Sequence, residues 1–355
     1  MLKFHAIPVK EVRKETSQAV SIAFDIPPHL VETFAYKAGQ YVTVRAVING
    51  DEVRRSYSLC SSPLDNEWRI GVKKVDDGVF STYANEVLKA GDMLELMPPM
   101  GNFTAQLYAP ANKHYIGIAA GSGITPVLSI IKTALQAQPN SSFTLVYGNR
   151  NRPAIMFKEE LEALKNKYIH RFNIIHILSR EMTDANLNHG RINAEKCAHL
   201  FEKALNINAD AFFICGPEEM TVDVRDFLLT SGVAATNVHI ELFTTNSTTP
   251  FKKEIVKAPA ESKSHITVKL DGIAFDFDLA FDDASILDAA AQQGADVPYS
   301  CKSGVCCTCR AKLLEGEVDM EVCYGLEPEE IEQGFILTCQ SHPKTARVVV
   351  DYDAK

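Results

Sequence analysis

The most constraining stretch of this 355-residue chain is YSCKSGVCCTCR, residues 299–310, where four of the nine cysteines fall within nine positions. Cys301, Cys306 and Cys309 stand as C-x4-C-x2-C, and Cys339 follows after 29 intervening residues, in FILTCQSHP. That spacing suits four thiolates around a [2Fe–2S] cluster. A structural zinc more often shows paired C-x2-C units, and zinc or buried free thiols stand as the alternatives. The Gly and Ser of CKSGV suit a loop whose backbone wraps closely around inorganic sulfide and donates N–H groups to it. Cys307 lies inside the loop but out of register. Like Cys60, Cys197 and Cys323, it reads as a small packed thiol.

With 46% hydrophobic and 23% charged residues, the chain is expected to be soluble and to hold two or three domains. MLKFHAIPVKEVRKE has no apolar run of the kind a secretion signal needs. YIGIAAGSGITPVLSII is long enough to span a membrane but is broken by Gly, Ser, Thr and Pro, so no membrane segment is expected. A cytoplasmic location follows, where cysteines serve as metal ligands or buried thiols more often than as disulfides. Net charge is −9, and its distribution is uneven. Residues 1–243 hold 25 Lys+Arg and 26 Asp+Glu (net −1), residues 244–263 hold 4 and 2 (net +2), and residues 264–355 hold 7 and 17 (net −10). With no matching basic patch, nucleic acid is not an expected partner.

Patterning divides the chain. Residues 1–110 read as short alternating strands such as YVTVRAVI and EWRIGVKKV between turn signals, predicting an antiparallel β-barrel. Residues 111–245 alternate strand and helix, from HYIGIAA to VHIELF, predicting a doubly wound parallel α/β sheet. Pro126 and Pro217 fit the first turns of their helices and Gly232 a C-cap. Residues 246–263 read as a linker. In 264–355, HITVKL and IAFDFDL form a hairpin about Asp271-Gly272, and SILDAAAQQG a short helix capped by Ser285.

These motifs carry a family resemblance over the whole chain. Residues 264–355 resemble a plant-type [2Fe–2S] ferredoxin domain, an α+β β-grasp fold, and residues 1–245 resemble the ferredoxin-NADP reductase family. GVCCTCRAKLLEGEVDM and YGLEPEEIEQGFILTCQSHP are similar to the reductase subunits of phenylacetyl-CoA epoxidase complexes. RSYS, residues 55–58, resembles the family's flavin signature. The resemblance implies that Arg55 neutralises the FAD pyrophosphate, Tyr57 packs on the isoalloxazine and Ser58 reaches the hydride-accepting nitrogen. DGVFS resembles the family's G-G-x-x-S phosphate loop, with Asp77 in place of the first Gly; it assigns backbone amides of Gly78, Val79, Phe80 and Ser81 to the phosphates.

AAGSGITP follows a predicted strand and opens a helix, as a glycine-rich nucleotide loop must. It resembles the family's G-x-G-x-x-P form and assigns Gly121, Gly123 and Thr125 to the nicotinamide cofactor. CGPEEM resembles the C-G-P element beside the nicotinamide, which places Cys215, Gly216 and Pro217 there, Cys215 as a neighbour of hydride transfer and not a nucleophile. Ser179 and Arg180, with Arg191, stand where relatives bind the 2′-phosphate, which favours NADPH over NADH although Glu181 adjoins them. Phe243 resembles an aromatic that covers the flavin.

The resemblance thus implies electron transfer from NADPH through FAD to a cluster on Cys301, Cys306, Cys309 and Cys339, and on to an oxygenase. Another aromatic-ring or alkane oxygenase is an alternative acceptor. A redox-sensing or cluster-delivery module is an alternative of a different class. The acidity of residues 264–355 suggests a docking face for the acceptor made by Glu327, Glu329, Glu330 and Glu332 with Asp319 and Glu321.

Overall fold

The computed structural model describes residues 3–243, 263–281 and 283–354; nearly all of the expected linker lies outside them. The chain opens with β1 (His5–Thr16), β2 (Ala19–Phe24), β3 (Tyr41–Ile48), β4 (Asp51–Ser58), β5 (Trp68–Lys73), helix α1 (Val79–Glu86) and β6 (Met93–Leu96). These strands pair antiparallel in the order β4-β3-β6-β1-β2-β5. Just past β4, Leu59 bridges Ile70 and the Cys60 N–H donates to the Arg69 carbonyl at 2.8 Å, which joins the two edges and closes the barrel. Alternate side chains, among them Ile22, Val42, Val44, Ile70 and Leu94, fill its interior.

The second unit runs β7 (His114–Ala120), α2 (Ile124–Ala137), β8 (Ser142–Asn149), α3 (Lys158–Lys167), β9 (Phe172–Leu178), α4 (Ala194–Lys203), β10 (Ala211–Cys215), α5 (Glu218–Thr230) and β11 (Val238–Glu241). Its strands are all parallel, in the order β11-β10-β7-β8-β9. The order reverses between β7 and β10, so a crevice opens beyond their carboxyl ends, where such sheets bind ligands. Pro217 is the cap before α5 rather than a member of its first turn, and Gly232 follows the helix at φ +88° as expected. Barrel and sheet share one core. Ala38, Cys60 and Phe103 pack with Val127 and Ile130 of α2, and Phe103 meets Phe213 edge-on at 5.8 Å. Burial of this size holds the two units in one register.

The third unit runs β12 (Lys263–Leu270), β13 (Ile273–Ala280), α6 (Ile286–Gln292), β14 (Arg310–Glu315), β15 (Val318–Met320), α7 (Pro328–Glu332), β16 (Phe335–Leu337), β17 (Ser341–Pro343) and β18 (Arg347–Asp351). A five-stranded sheet, β13-β12-β18-β14-β16, carries α6 over its core, and β15 pairs with β17 beside it. The hairpin turn holds Asp271 at φ +55° and Gly272 at +74°, the left-handed pair that its sequence predicts. Ser285 accepts the Asp288 N–H at 3.2 Å to start α6. Among the described residues no helix is long and apolar enough to cross a membrane.

Candidate functional site

The four cysteines of the predicted set come together as two pairs. The thiols of Cys301 and Cys306 lie beside each other, and so do those of Cys309 and Cys339. Cys301 Sγ also accepts the N–H groups of Ser303 and Cys306, both at 3.4 Å. The Cys306 thiol is the main cause that pushes Cys301 down to about 5, and the Cys309 thiol likewise lowers Cys339. In each pair one sulfur is thus favoured as thiolate, the form that binds metal, while the same partnership and then burial push the other, Cys306 or Cys309, well above the ordinary thiol range. Among the described residues no three metal-ligating side chains surround one point. Two thiol pairs fit two sulfide-bridged irons better than a single zinc. Gly304 makes the loop possible. It sits at φ +72°, and a Cβ there would lie 2.6 Å from the Val322 carbonyl oxygen. Cys307 is buried with its sulfur directed at Tyr41. Cys60 and Cys197 lie in apolar cores, and Cys323 packs partly buried against the third one.

The barrel presents RSYS along β4. Arg55 is exposed, its guanidinium donates to the Arg54 carbonyl at 2.7 Å, and no carboxylate pairs with it among the described residues. Tyr57 packs on Phe80 at 5.4 Å. Ser58 is buried and donates to Glu241 Oε2 at 3.0 Å. Glu241 ends β11 and is one of the residues that sequence reasoning missed, because nothing local in VHIELF points to its partner Ser58. Burial pushes its carboxyl up to about 8, with the Ser58 bond offsetting part of that rise. Its ladder partner on β10 is Cys215, buried, whose thiol is raised well above the ordinary range by burial and then by the Glu241 charge. Burial of this kind favours the protonated thiol over the thiolate.

Asp77 takes φ +57°, a left-handed conformation that Gly adopts freely and that Asp tolerates better than most residues. Gly78 caps α1, and a Cβ there would lie 2.4 Å from Ser81 Oγ. The Phe80 side chain is sunk in the barrel core and the Ser81 hydroxyl is engaged with Val75 N–H and the Gly78 carbonyl. The Gly78 N–H is already bonded to the Val75 carbonyl at 3.1 Å, so of the four expected amides the turn offers a ligand those of Val79, Phe80 and Ser81, in the first turn of α1.

At the sheet, Gly121 takes φ +57°, and Gly123 approaches so closely that a Cβ would lie 2.1 Å from the Cys215 carbonyl oxygen. Only glycine lets the β7 and β10 turns meet. Thr125 donates to the Ser122 carbonyl at 3.0 Å, bracing the loop. Lys73 of the barrel, also missed, places Nζ 3.3 Å from where a Gly121 Cβ would be. Burial and then Arg150 hold its ammonium below the ordinary lysine range. Ser179 and Arg180 follow β9; Arg180 and Arg191 are exposed and pair with no carboxylate among the described residues. Glu181 turns away to Arg152, which it meets at 2.8 Å. Its neighbourhood to Arg180 in sequence is thus not a neighbourhood of charge.

Arg55, Ser58, Glu241 and Phe243 share one cavity of about 310 Å³ with Cys301 and Cys306. The barrel signature, the end of the parallel sheet and the cysteine loop all wall the same space, within the range of cofactor sites, about 300–1,000 Å³. Of the acidic side chains expected to dock a partner, Glu330 is committed elsewhere. It meets Arg310 at 2.9 Å and accepts from Asn102 of the first unit at 2.9 Å. Glu321 faces His342 at 3.4 Å, whereas Glu329 and Glu332 are exposed.

Comparison with known proteins agrees with this arrangement. Residues 7–105 match the oxidoreductase FAD-binding domain, 118–226 the oxidoreductase NAD-binding domain, and 268–344 the 2Fe-2S iron-sulfur cluster binding domain. The chain is 44% identical over its whole length to one of the subunits of the 1,2-phenylacetyl-CoA epoxidase of Escherichia coli K12, of which it covers 99%. It is 35% identical over 98% of its length to the ferredoxin reductase component of 3-ketosteroid-9-alpha-monooxygenase of Rhodococcus rhodochrous, covering 96% of that protein. Among solved structures, phthalate dioxygenase reductase is similar at a TM-score of 0.60 and 28% identity, with 98% of each chain covered.

Proposed function

Because the chain belongs to the family of FAD-, nicotinamide- and [2Fe–2S]-dependent reductases of oxygenase systems, we propose that it draws electrons from NADPH and delivers them to a di-iron oxygenase acting on phenylacetyl-CoA. The observation that carries this reading is the single cavity walled by Ser58, Glu241 and the Cys301–Cys306 loop. When bound, FAD supplies hydride acceptance from the nicotinamide and one-electron release to the cluster.

The chain's own residues have distinct tasks. Arg55, which pairs with no carboxylate among the described residues, would neutralise the FAD diphosphate, and the N–H groups of Val79, Phe80 and Ser81 at the start of α1 would add to that site, with Gly78 shaping the turn. Tyr57, held by Phe80, would lie against one flavin face, and Phe243, which lines the cavity, would lie near the ring. Ser58 aims its hydroxyl into the cavity, and Glu241, protonated at neutral pH, holds a proton one hydrogen bond behind Ser58 Oγ. Gly121, Gly123 and Thr125 let the nicotinamide pyrophosphate approach the start of α2, with Lys73 and Arg150 supplying positive charge. Cys215, Gly216 and Pro217 form the floor beneath the nicotinamide. Ser179, Arg180 and Arg191 bind the 2′-phosphate that distinguishes NADPH. Cys301, Cys306, Cys309 and Cys339 hold the cluster.

The five cysteines outside the cluster set, Cys60, Cys197, Cys215, Cys307 and Cys323, are unpaired thiols, which supports a reducing compartment, the cytoplasm. The acceptor docks on the acidic face of the third unit, through Glu329, Glu332 and their neighbours. The test mixes the holoprotein and NADPH with the phenylacetyl-CoA oxygenase component and follows substrate oxygenation. Oxygenation should require every component and should run faster with NADPH than with NADH. A holoprotein that oxidises NADPH yet never supports that oxygenase, while supporting a 3-ketosteroid oxygenase, would move the acceptor assignment.

A further inference from the structure

Period-two alternation in β3 and β4 sets Tyr41 opposite Ser58 and Thr43 opposite Ser56. These four side chains make one row of hydroxyls on the barrel face that continues into the facing pair Arg45 and Arg54. Ser58 uses its hydroxyl toward Glu241, whereas the other three touch the cysteine loop or the strand of chain leading into it. Ser56 Oγ donates to Ser300 Oγ at 2.8 Å, and Thr43 Oγ1 lies 3.4 Å from Thr308 Oγ1. The Tyr41 phenol oxygen accepts the Cys307 N–H at 3.2 Å and lies 3.3 Å from Cys307 Sγ and 3.2 Å from Thr308 Oγ1.

We propose that Tyr41 is a positioning residue that sets the spacing between flavin and cluster by tying the Cys306–Thr308 segment to the barrel. Its partners lie between the ligands Cys306 and Cys309, so a shift of this segment moves the metal site itself. On the barrel side Tyr41 is clamped by backbone bonds to Met100, at 2.8 and 2.9 Å. It is 6% exposed, packed with Cys306 and Cys307, so its hydrogen bonds are shielded from water. It also lines the shared cavity, between the flavin-facing stripe and the cluster loop. Cys307, which no metal role explains, acquires a use as Tyr41's partner. The surrounding ion pair of Arg54 with Asp296 at 3.1 Å involves an exposed carboxylate and contributes little to the register. The proposal rests on the electron route given above.

The experiment uses the FAD- and cluster-loaded full chain, reduced anaerobically by NADPH in a stopped-flow instrument, with flavin and cluster absorption read separately. Tyr41→Phe should retain FAD and an unchanged cluster EPR spectrum, but flavin-to-cluster transfer should slow by about tenfold, the order of magnitude expected for losing one buried hydroxyl's bonds. The pair Ser56→Cys with Ser300→Cys should form a disulfide under mild oxidant, more slowly when Tyr41→Phe is also present. Once formed, that link should restore the transfer rate of Tyr41→Phe, and reduction by dithiothreitol should abolish the rescue. A Tyr41→Phe protein that transfers at the unmutated rate overturns the proposal. So does slow transfer that persists with the disulfide in place, or failure of the disulfide to form in an otherwise unmutated chain. Thr308→Val, which removes a partner from the other side, carries the same expectations if Tyr41→Phe folds poorly. A cluster in the unmutated protein that NADPH never reduces would instead overturn the electron route itself.

Discussion

Ser58 Oγ and Glu241 Oε2 meet 3.0 Å apart across the seam between the barrel and the parallel sheet, joining residues 183 positions apart in sequence. The pair places a hydroxyl and a half-buried carboxyl together on the wall of the shared cavity. Its consequence for pH follows from linkage. Burial raises the Glu241 carboxyl from 4.5 to about 8, so the native state holds this proton more tightly than the unfolded chain. The stabilising contribution is whole below the unfolded value, erodes as pH rises and is lost as pH passes through the folded value. Glu241→Gln keeps an acceptor for Ser58 and cannot ionise. Its thermal midpoint should therefore fall less than that of the unmutated holoprotein between about pH 5 and about pH 9. Equal falls in both proteins would mean that Glu241 ionises as an ordinary carboxylate.

Arg180 offers a cleaner test of nicotinamide choice than sequence alone suggested, because Glu181 is turned to Arg152 and does not compete for it. Arg180→Ala should raise KM for NADPH by about ten- to a hundred-fold, the range of one charge-assisted contact, and leave NADH nearly unaffected. Steady-state kinetics with both cofactors check this. Equal losses with the two would remove the 2′-phosphate from Arg180.

Cys309 and Cys307 differ by two positions and should differ completely in effect. Cys309→Ser removes one thiol of the Cys309–Cys339 pair and should weaken or abolish the cluster while FAD, in another folding unit, stays bound. Ferricyanide reduction should survive and cytochrome c reduction should drop sharply. Cys307→Ser keeps a polar partner for Tyr41 and should retain the [2Fe–2S] absorption. Iron analysis alongside both assays decides the matter: full cytochrome c activity in iron-free Cys309→Ser protein would show that electrons bypass the cluster.

What was legible in the sequence is what local pattern encodes. Strand alternation, helical stretches between parallel strands and the C-x4-C-x2-C spacing each report on residues near one another in the chain, so three units could be read directly, as could the three close cysteines that the fold brings together with Cys339. The departure at Asp77 was legible as an oddity, and its φ of +57° explains why an Asp can stand there. Glu241, Lys73 and Tyr41 were not legible. Each acquires its meaning from a partner far away in sequence, Ser58, Gly121 and Cys307 respectively, and only the packing of one unit on another makes those pairs. The same reason corrects Glu330, whose sequence context of acidic neighbours hides its contacts with Arg310 and Asn102.

That correction changes how the acceptor's docking face should be probed. Net charge is −10 on residues 264–355 against −1 on residues 1–243, so the acidity is confined to the unit that delivers electrons. Long-range attraction speeds encounter and is screened beyond about 8 Å at physiological salt. Electron delivery to the oxygenase should therefore slow steeply as salt rises, while reduction of small ferricyanide changes little. Reversing Glu330 would confound the test, because its loss also disturbs the contact between ferredoxin unit and barrel. Glu329 and Glu332 are exposed and form no ion pair among the described residues, so Glu329→Lys with Glu332→Lys alters the field without disturbing that contact. The double variant should lower the delivery rate at low salt and flatten its salt dependence, with flavin-to-cluster transfer unchanged. If delivery keeps both its rate and its salt slope, the acceptor meets another face, and the acidity serves only to keep the unit solvated.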